Sequence, residues 1–341
     1  MKKGSHTIKK QRVFYLDFIR AVALVSILII HFNATVTGYF TLPHKLFASV
    51  LPFGIYLGDF GSSLFFIVSG AALALTVPDN QSPATFYKKR AKAIYPLFWL
   101  AWAICFSLRF LEKPGYYAAA KSPTLLLTVL GLDNFAVAAG WVGVDFACVG
   151  EWFLGSILFL YLLFPLLFRG LRRKPWLTWM ASIAICLMIH LAGWDAHLVA
   201  IHVLEFLFGM QYLQMTFKGK VGVSLLCAVG TIFLAGFDSK ITCALFSVMI
   251  FAVLAGVSRF LEYPWMRILC ARLAKISYAV FLVHHVLIQR MAEQFDLAAL
   301  SRRDTAFLFL IYLMAVWAAA EALLWLQRCL QKGVTALRAA A

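Results

Sequence analysis

Acidic charge is scarce in this chain. Asp and Glu number 15 among 341 residues, and charged residues of both signs make up only 13%. Soluble domains run near 25%, and no stretch here is polar enough to form a separate water-exposed domain. Paired cysteines are lacking as well. The seven stand singly at 105, 148, 186, 227, 243, 270 and 329. Without a CxxC or any metal spacing they read as small apolar packing residues, and no metal is expected. There is no HExxH, no GxSxG and no Gly-rich phosphate loop, which sets aside zinc-protease, serine-hydrolase and P-loop chemistry. Nor is there a repeat of about 20–50 residues, so the chain is not a solenoid.

What fills the chain instead is apolar: 63% of residues are hydrophobic and 16% aromatic. A membrane span needs about 20 apolar residues. Ten segments qualify, near 13–35, 59–77, 93–111, 150–168, 176–192, 198–215, 221–237, 241–257, 274–291 and 305–327. The expected fold is an all-α polytopic membrane protein with one integral domain over 13–327. Cytoplasmic tails are expected at 1–12 and 328–341.

The net charge of +16 would suit a nucleic-acid partner, but its placement argues for a bilayer. With the N-terminus cytoplasmic, 22 of the 31 Lys and Arg fall on cytoplasmic segments and eight in or beside outer loops. That asymmetry is the positive-inside rule. It holds only if residues 112–149 add no crossing, so this segment is expected to be outer or re-entrant and both termini cytoplasmic. The basic N-terminus before an apolar run resembles a signal peptide. Asp17 and Arg20 interrupt the run and no A-x-A site follows, so an uncleaved first helix is expected. The location expected is the cell's inner (plasma) membrane, crossed many times.

The first span, "DFIRAVALVSILIIHF" (17–32), holds three ionisable residues, Asp17, Arg20 and His31. Each costs at least about 2.5–3.5 kcal/mol near the middle of a bilayer. Arg20 and His31 are eleven residues apart, which is three helical turns plus about 20°, or about 16 Å along the axis. Asp17 falls within about 60° of both, so all three share one stripe. Such a stripe suits a protein interior or a wet cleft.

Five further stretches carry polar groups. "GSSLFFIVSGAALAL" (61–75) offers Ser69 and Gly70, either as a close-packing face or as a substrate lining. "FYKKRAKAIYPLFW" (86–99) places Lys88, Lys89, Arg90 and Lys92 at a cytoplasmic mouth, where they suit a solvated positive-inside loop or an anion site. "GEWFLGSILFLYLLFP" (150–165) opens with Glu151 and Trp152 at an outer membrane level. "HLVAIHVLEFLFG" (197–209) sets His202 and Glu205 three residues apart and therefore on one face, as an interhelical polar contact or as part of a site. "ISYAVFLVHHVLI" (276–288) contains Tyr278, His284 and His285. The two adjacent histidines point about 100° apart, so only one of them faces a given cleft.

These stretches, in this order, resemble the acyltransferase-3 family of integral membrane acyltransferases. Arg20 and His31 match that family's Arg, ten residues, His in its first helix. "LFFIVSG", "FYKKRAKAIYP", "WFLGSILFLYLLFP" and "ISYAVFLVHH" are similar to its later motifs, with His284 in the His position. Two departures stand out. The family often has a second Arg where this chain has Ala93, and many members have a Glu where Leu158 stands. The resemblance implies transfer of an acyl group, acetyl in the first instance, from cytoplasmic acyl-CoA to a hydroxyl of a cell-surface, exported or lipid-linked glycan. His31 would act as general base, the usual role of a side chain titrating near working pH. Arg20 would hold a donor phosphate or carbonyl with Asp17 orienting it, and Arg90, Lys88, Lys89 and Lys92 would contact the donor. Ser69, Glu151, Trp152, His202, Glu205, Tyr278 and His284 would line the substrate path. A transporter or flippase for lipid-linked glycans is the alternative from the same polar residues, although no symmetric pair of Gly/Pro-broken helices marks one. A scaffold subunit would leave the His31 stripe unexplained.

Overall fold

The computed structural model describes residues 13–37, 46–149, 151–193, 200–296 and 299–340. The expected tail at 1–12 lies outside them. Twelve α-helices follow one another among the described residues: α1 (Phe14–Thr37), α2 (Leu57–Thr76), α3 (Pro83–Glu112), α4 (Leu125–Leu130), α5 (Asp133–Ala138), α6 (Glu151–Arg173), α7 (Pro175–Leu191), α8 (Ala200–Tyr212), α9 (Phe217–Leu234), α10 (Ser239–Val257), α11 (Pro264–Ala292) and α12 (Arg302–Ala340). A two-residue hairpin, β1 (Val50–Leu51) and β2 (Ile55–Tyr56), leads into α2. The fold is all-α and polytopic. Each of the ten expected spans falls on a helix. Seven helices, α1, α2, α3, α6, α9, α10 and α12, are long and apolar enough to cross a bilayer. The other three differ in kind: α7 is apolar but 17 residues long, α8 has 13 residues, and α11 has 29 with Arg267, Arg272 and Lys275 in its first half. Residues 328–340, expected as a tail, continue α12.

Helix starts follow local chemistry. Ser82 caps α3 by accepting from the Thr85 N–H, with Pro83 at the first helical position, and Thr216 and Asp238 cap α9 and α10 in the same way. Packing then sorts the helices. The apolar window of α2 is 72% buried, while that of α9 is 11% buried. Thus α2 lies within the bundle, and α9 presents Leu225, Leu226, Ile232 and Phe233 outward. Helix α1 packs against α2 and α11. Helices α2 and α8 approach backbone to backbone. A Cβ on Gly70 would sit 2.1 Å from the Phe206 carbonyl oxygen, and one on Gly209 would sit 2.0 Å from that of Ile67. Only glycine permits that crossing.

The segment between α3 and α6 contains two six-residue helices, neither able to span. It runs down and back along α3. Arg109 donates to the Tyr116 hydroxyl near the end of α3. Further down, the Trp99 indole donates to the Val129 carbonyl at 2.9 Å, and the Tyr95 hydroxyl to that of Leu130 at 3.0 Å. The return leg meets α3 again where the Trp102 indole donates to the Phe146 carbonyl at 2.9 Å. Tyr95 and Arg109 are about 21 Å apart along the helix, so the segment is re-entrant. Irregular backbone at membrane depth requires partners from protein, and three aromatic donors of α3 supply them. The Leu132 N–H closes the end of α4 on the Leu127 carbonyl, with Gly131 at φ 71° making the turn.

Candidate functional site

Five helices, α1, α2, α3, α6 and α11, enclose a cavity of about 290 Å³. The stripe on α1 supplies one wall, with Arg20 and His31 both lining it. Helix α2 adds Ser62 and Ser69, seven residues apart and so on one face. Helix α3 contributes Arg90, α6 Trp152 and Tyr161, and α11 Tyr278 and His284. The two ends of the cavity differ. Arg20, Arg90, Ser69 and Tyr161 line it together, and the Arg90 guanidinium lies 5.9 Å from the Phe86 ring centroid. The Arg90 Nε is buried and has no hydrogen-bond partner among the described residues. A buried cationic donor in that state suits an anionic oxygen.

About 16 Å further along α1, three imidazoles meet. The His31 ring centroid is 4.7 Å from that of His284 and 5.2 Å from that of His285. His31 Nδ1 is 2.9 Å from the Ile27 carbonyl oxygen, and His284 Nδ1 is 2.8 Å from that of Phe281. A carbonyl only accepts, so in both rings Nδ1 carries the proton. Nε2 is then the basic nitrogen of each neutral imidazole. The helical backbone thereby fixes both the tautomer and the direction of each ring's Nε2. Among the described residues no group of three or more His, Cys, Asp and Glu is arranged to hold a metal ion.

The remaining predicted residues fall elsewhere. Asp17 is buried, one turn below Arg20, and does not line the cavity. Of the four clustered cations only Arg90 lines it; Lys88, Lys89 and Lys92 are exposed, and Lys89 bonds Gln81 at 2.8 Å. His202 and Glu205 pair at 2.7 Å behind the wall, with the His202 ring 4.3 Å from Phe66 and 6.1 Å from Trp152. Their position is one layer removed from the cavity. The Glu151 side chain lies outside the described residues. Sequence inspection missed Ser62, whose spacing from Ser69 was the available signal. It also missed Tyr161 and Ser277, which no motif separated from packing residues.

A second cavity, of about 690 Å³, opens on the other side of the histidines. The C-terminal ends of α1, α3 and α11 form it together with residues 147–149 of the returning segment. His285 lines this cavity and His284 the first, as their 100° separation requires.

No solved structure matches this chain. Acyltransferase MdmB of Streptomyces mycarofaciens is 35% identical to it over 124 residues, which cover 35% of this chain and 30% of that protein's length. The acyltransferase-domain family model matches residues 13–324, close to the whole described chain, and the protein belongs to that acyltransferase-3 family.

Proposed function

We propose that the protein is a membrane O-acyltransferase moving an acyl group, acetyl in the first instance, from cytoplasmic acyl-CoA to a hydroxyl of a cell-surface or exported glycan. One observation carries this reading: a single cavity wall runs from Arg20 to His31 and ends at a histidine cluster bordered by a second, outward cavity. Arg20 and Arg90 hold an anionic part of the donor, and the apolar walls leave room for a slender arm reaching the histidines. His31 Nε2 takes the proton of the acceptor hydroxyl as its oxygen forms a bond to the thioester carbonyl carbon. The carbon–sulfur bond breaks, and the imidazolium returns the proton to the departing sulfur. General bases of this kind contribute about 10²–10⁴-fold.

Envelope glycans from cells expressing the wild type, His31→Gln or His284→Gln provide the test, with acyl content read by mass spectrometry. Acylation is expected with the wild type and to fall by at least about 100-fold with His31→Gln, at equal protein in the membrane. Unchanged acylation with His31→Gln removes the assigned base. Loss of glycan export without loss of acylation on the residual glycan marks a transporter instead.

A further inference from the structure

Outer segments of membrane proteins are depleted in Lys and Arg, yet three of the eight outer cations here line the second cavity: Arg109, Lys113 and Arg290. Their charges are not equally matched. Arg290 contacts both Glu112 and Glu293, the latter at 3.1 Å. Arg109 and Lys113 have no carboxylate partner among the described residues. Arg109 stands in the last turn of α3 and Lys113 is the C-cap of that helix, and both line this cavity. Arg109 is held by an uncharged group: its guanidinium lies 4.8 Å from the Tyr116 ring centroid and Nη1 donates to the Tyr116 hydroxyl at 3.0 Å. A planar guanidinium fixed at one edge keeps further donors for a two-pronged contact with phosphate or carboxylate.

His285 lines this cavity, and its ring is 5.2 Å from that of His31, which lines the first. A molecule seated here therefore lies one imidazole ring away from the proposed base. The volume of about 690 Å³ lies within the range of about 300–1,000 Å³ that small-molecule sites occupy.

We propose that the outer cavity is the acceptor site and that it selects a sugar bearing an anionic group, phosphate or carboxylate, held by Arg109 and Lys113 while a hydroxyl of the same molecule approaches His31. This deepens the acyltransferase reading and rests on it for the fate of the hydroxyl. Uncharged sugars gain nothing from the two unmatched cations, which supply the selectivity.

The test uses the full chain in nanodiscs of phosphatidylcholine, with affinities measured calorimetrically for glucose 1-phosphate, glucuronic acid, glucose and inorganic phosphate. Both anionic sugars are expected to bind at least about tenfold more tightly than glucose, a difference of about 1.4 kcal/mol. Arg109→Gln/Lys113→Gln is expected to abolish that preference while keeping the wild-type melting temperature and acetyl-CoA affinity, which shows that it is folded. Equal binding of glucose and the anionic sugars overturns the proposal, as does a preference that survives the double substitution. Inorganic phosphate binding as tightly as glucose 1-phosphate shows that the sugar is not read. Displacement of glucose 1-phosphate by phosphatidylglycerol added to the discs assigns the site to lipid headgroups; either outcome overturns the acceptor assignment. Failure of the wild type to bind acetyl-CoA, with the anion preference intact, counts against the donor reading alone.

Discussion

The crossing of α2 and α8 permits a sharp test, because one substitution should cost stability at one glycine and none at another. In Gly209→Ala the new methyl would lie 2.0 Å from the Ile67 carbonyl oxygen and 3.1 Å from the Ala71 nitrogen. Ordinary contact begins at 3.4 Å, so the two backbones must part by more than an ångström. Overfilling a packed interior costs about 1–3 kcal/mol. The atoms met are main chain on a buried helix and cannot swing aside, which places this case near the upper end, at about 3 kcal/mol. In a chain of this size that corresponds to about 5 °C in melting temperature. Gly222→Ala is the counterpart. Its methyl meets nothing within 4 Å on the peripheral α9, and alanine exceeds glycine in helix propensity by about 1 kcal/mol, so no loss is expected. The assay is thermal unfolding in detergent with a thiol-reactive dye, since Cys227, Cys243 and Cys270 are buried until the bundle opens. A Gly209→Ala protein melting within 1 °C of Gly222→Ala would refute the close approach, and with it the placement of Ser62 and Ser69 on the cavity wall.

Other expectations follow from the site and the re-entrant segment. Arg90→Gln should weaken acetyl-CoA binding at least about tenfold, about the worth of one charge-assisted contact, whereas Lys88→Gln, Lys89→Gln and Lys92→Gln should each change it less than twofold. Equal effects at all four positions would return the cluster to a topology signal. Cys105 Sγ lies 3.7 Å from the Cys148 carbonyl oxygen, and Cys148 Sγ 3.7 Å from that of Trp102. Copper phenanthroline with oxygen should therefore join the two thiols with loss of two hydrogens, seen by peptide mapping. Peptides that stay unlinked would misplace the returning leg of the segment.

Much of this architecture was legible in the residues. The positions of the ten helices follow from apolar length, and the exclusion of 112–149 as a crossing follows from charge placement. The Arg20–His31 wall follows from the helical angle alone. Asp17 shared that angular sector but sits a turn too low to line the cavity, because an angle fixes a face and not a depth. The four cations at 88–92 show the same limit, since successive helical residues diverge by about 100° and only Arg90 turns inward. Glu205 and His202 were legible as a pair but not as a layer behind Trp152. That distinction depends on where α8 meets α2, which Gly70 and Gly209 set by contact across the bundle. The two-cavity arrangement had no local signal, being assembled from α1, α3, α11 and a segment that doubles back.

The two departures from the family pattern divide along the same line. Ala93 lines the first cavity near Arg90, so the absent guanidinium would have faced that cavity, and under the proposed function Arg90 and Arg20 would be left to hold the donor's anion there. Leu158 faces away from that cavity. Its Cδ1 would lie 3.1 Å from a Cβ on Gly131, the left-handed turn joining α4 to α5. A carboxylate at 158 would be driven against the turn at Gly131 in the re-entrant segment. Leucine instead packs the turn, and the same segment returns through Phe146, held by Trp102, to Cys148 at the wall of the second cavity. Substitution at 158 therefore acts on the shape of the outward cavity through the segment, and substitution at 93 acts on the donor end directly. Leu158→Ala should lower transfer while leaving acetyl-CoA affinity unchanged, and Ala93→Arg should raise that affinity. The reverse pattern would mean that the segment contributes nothing to the outer cavity.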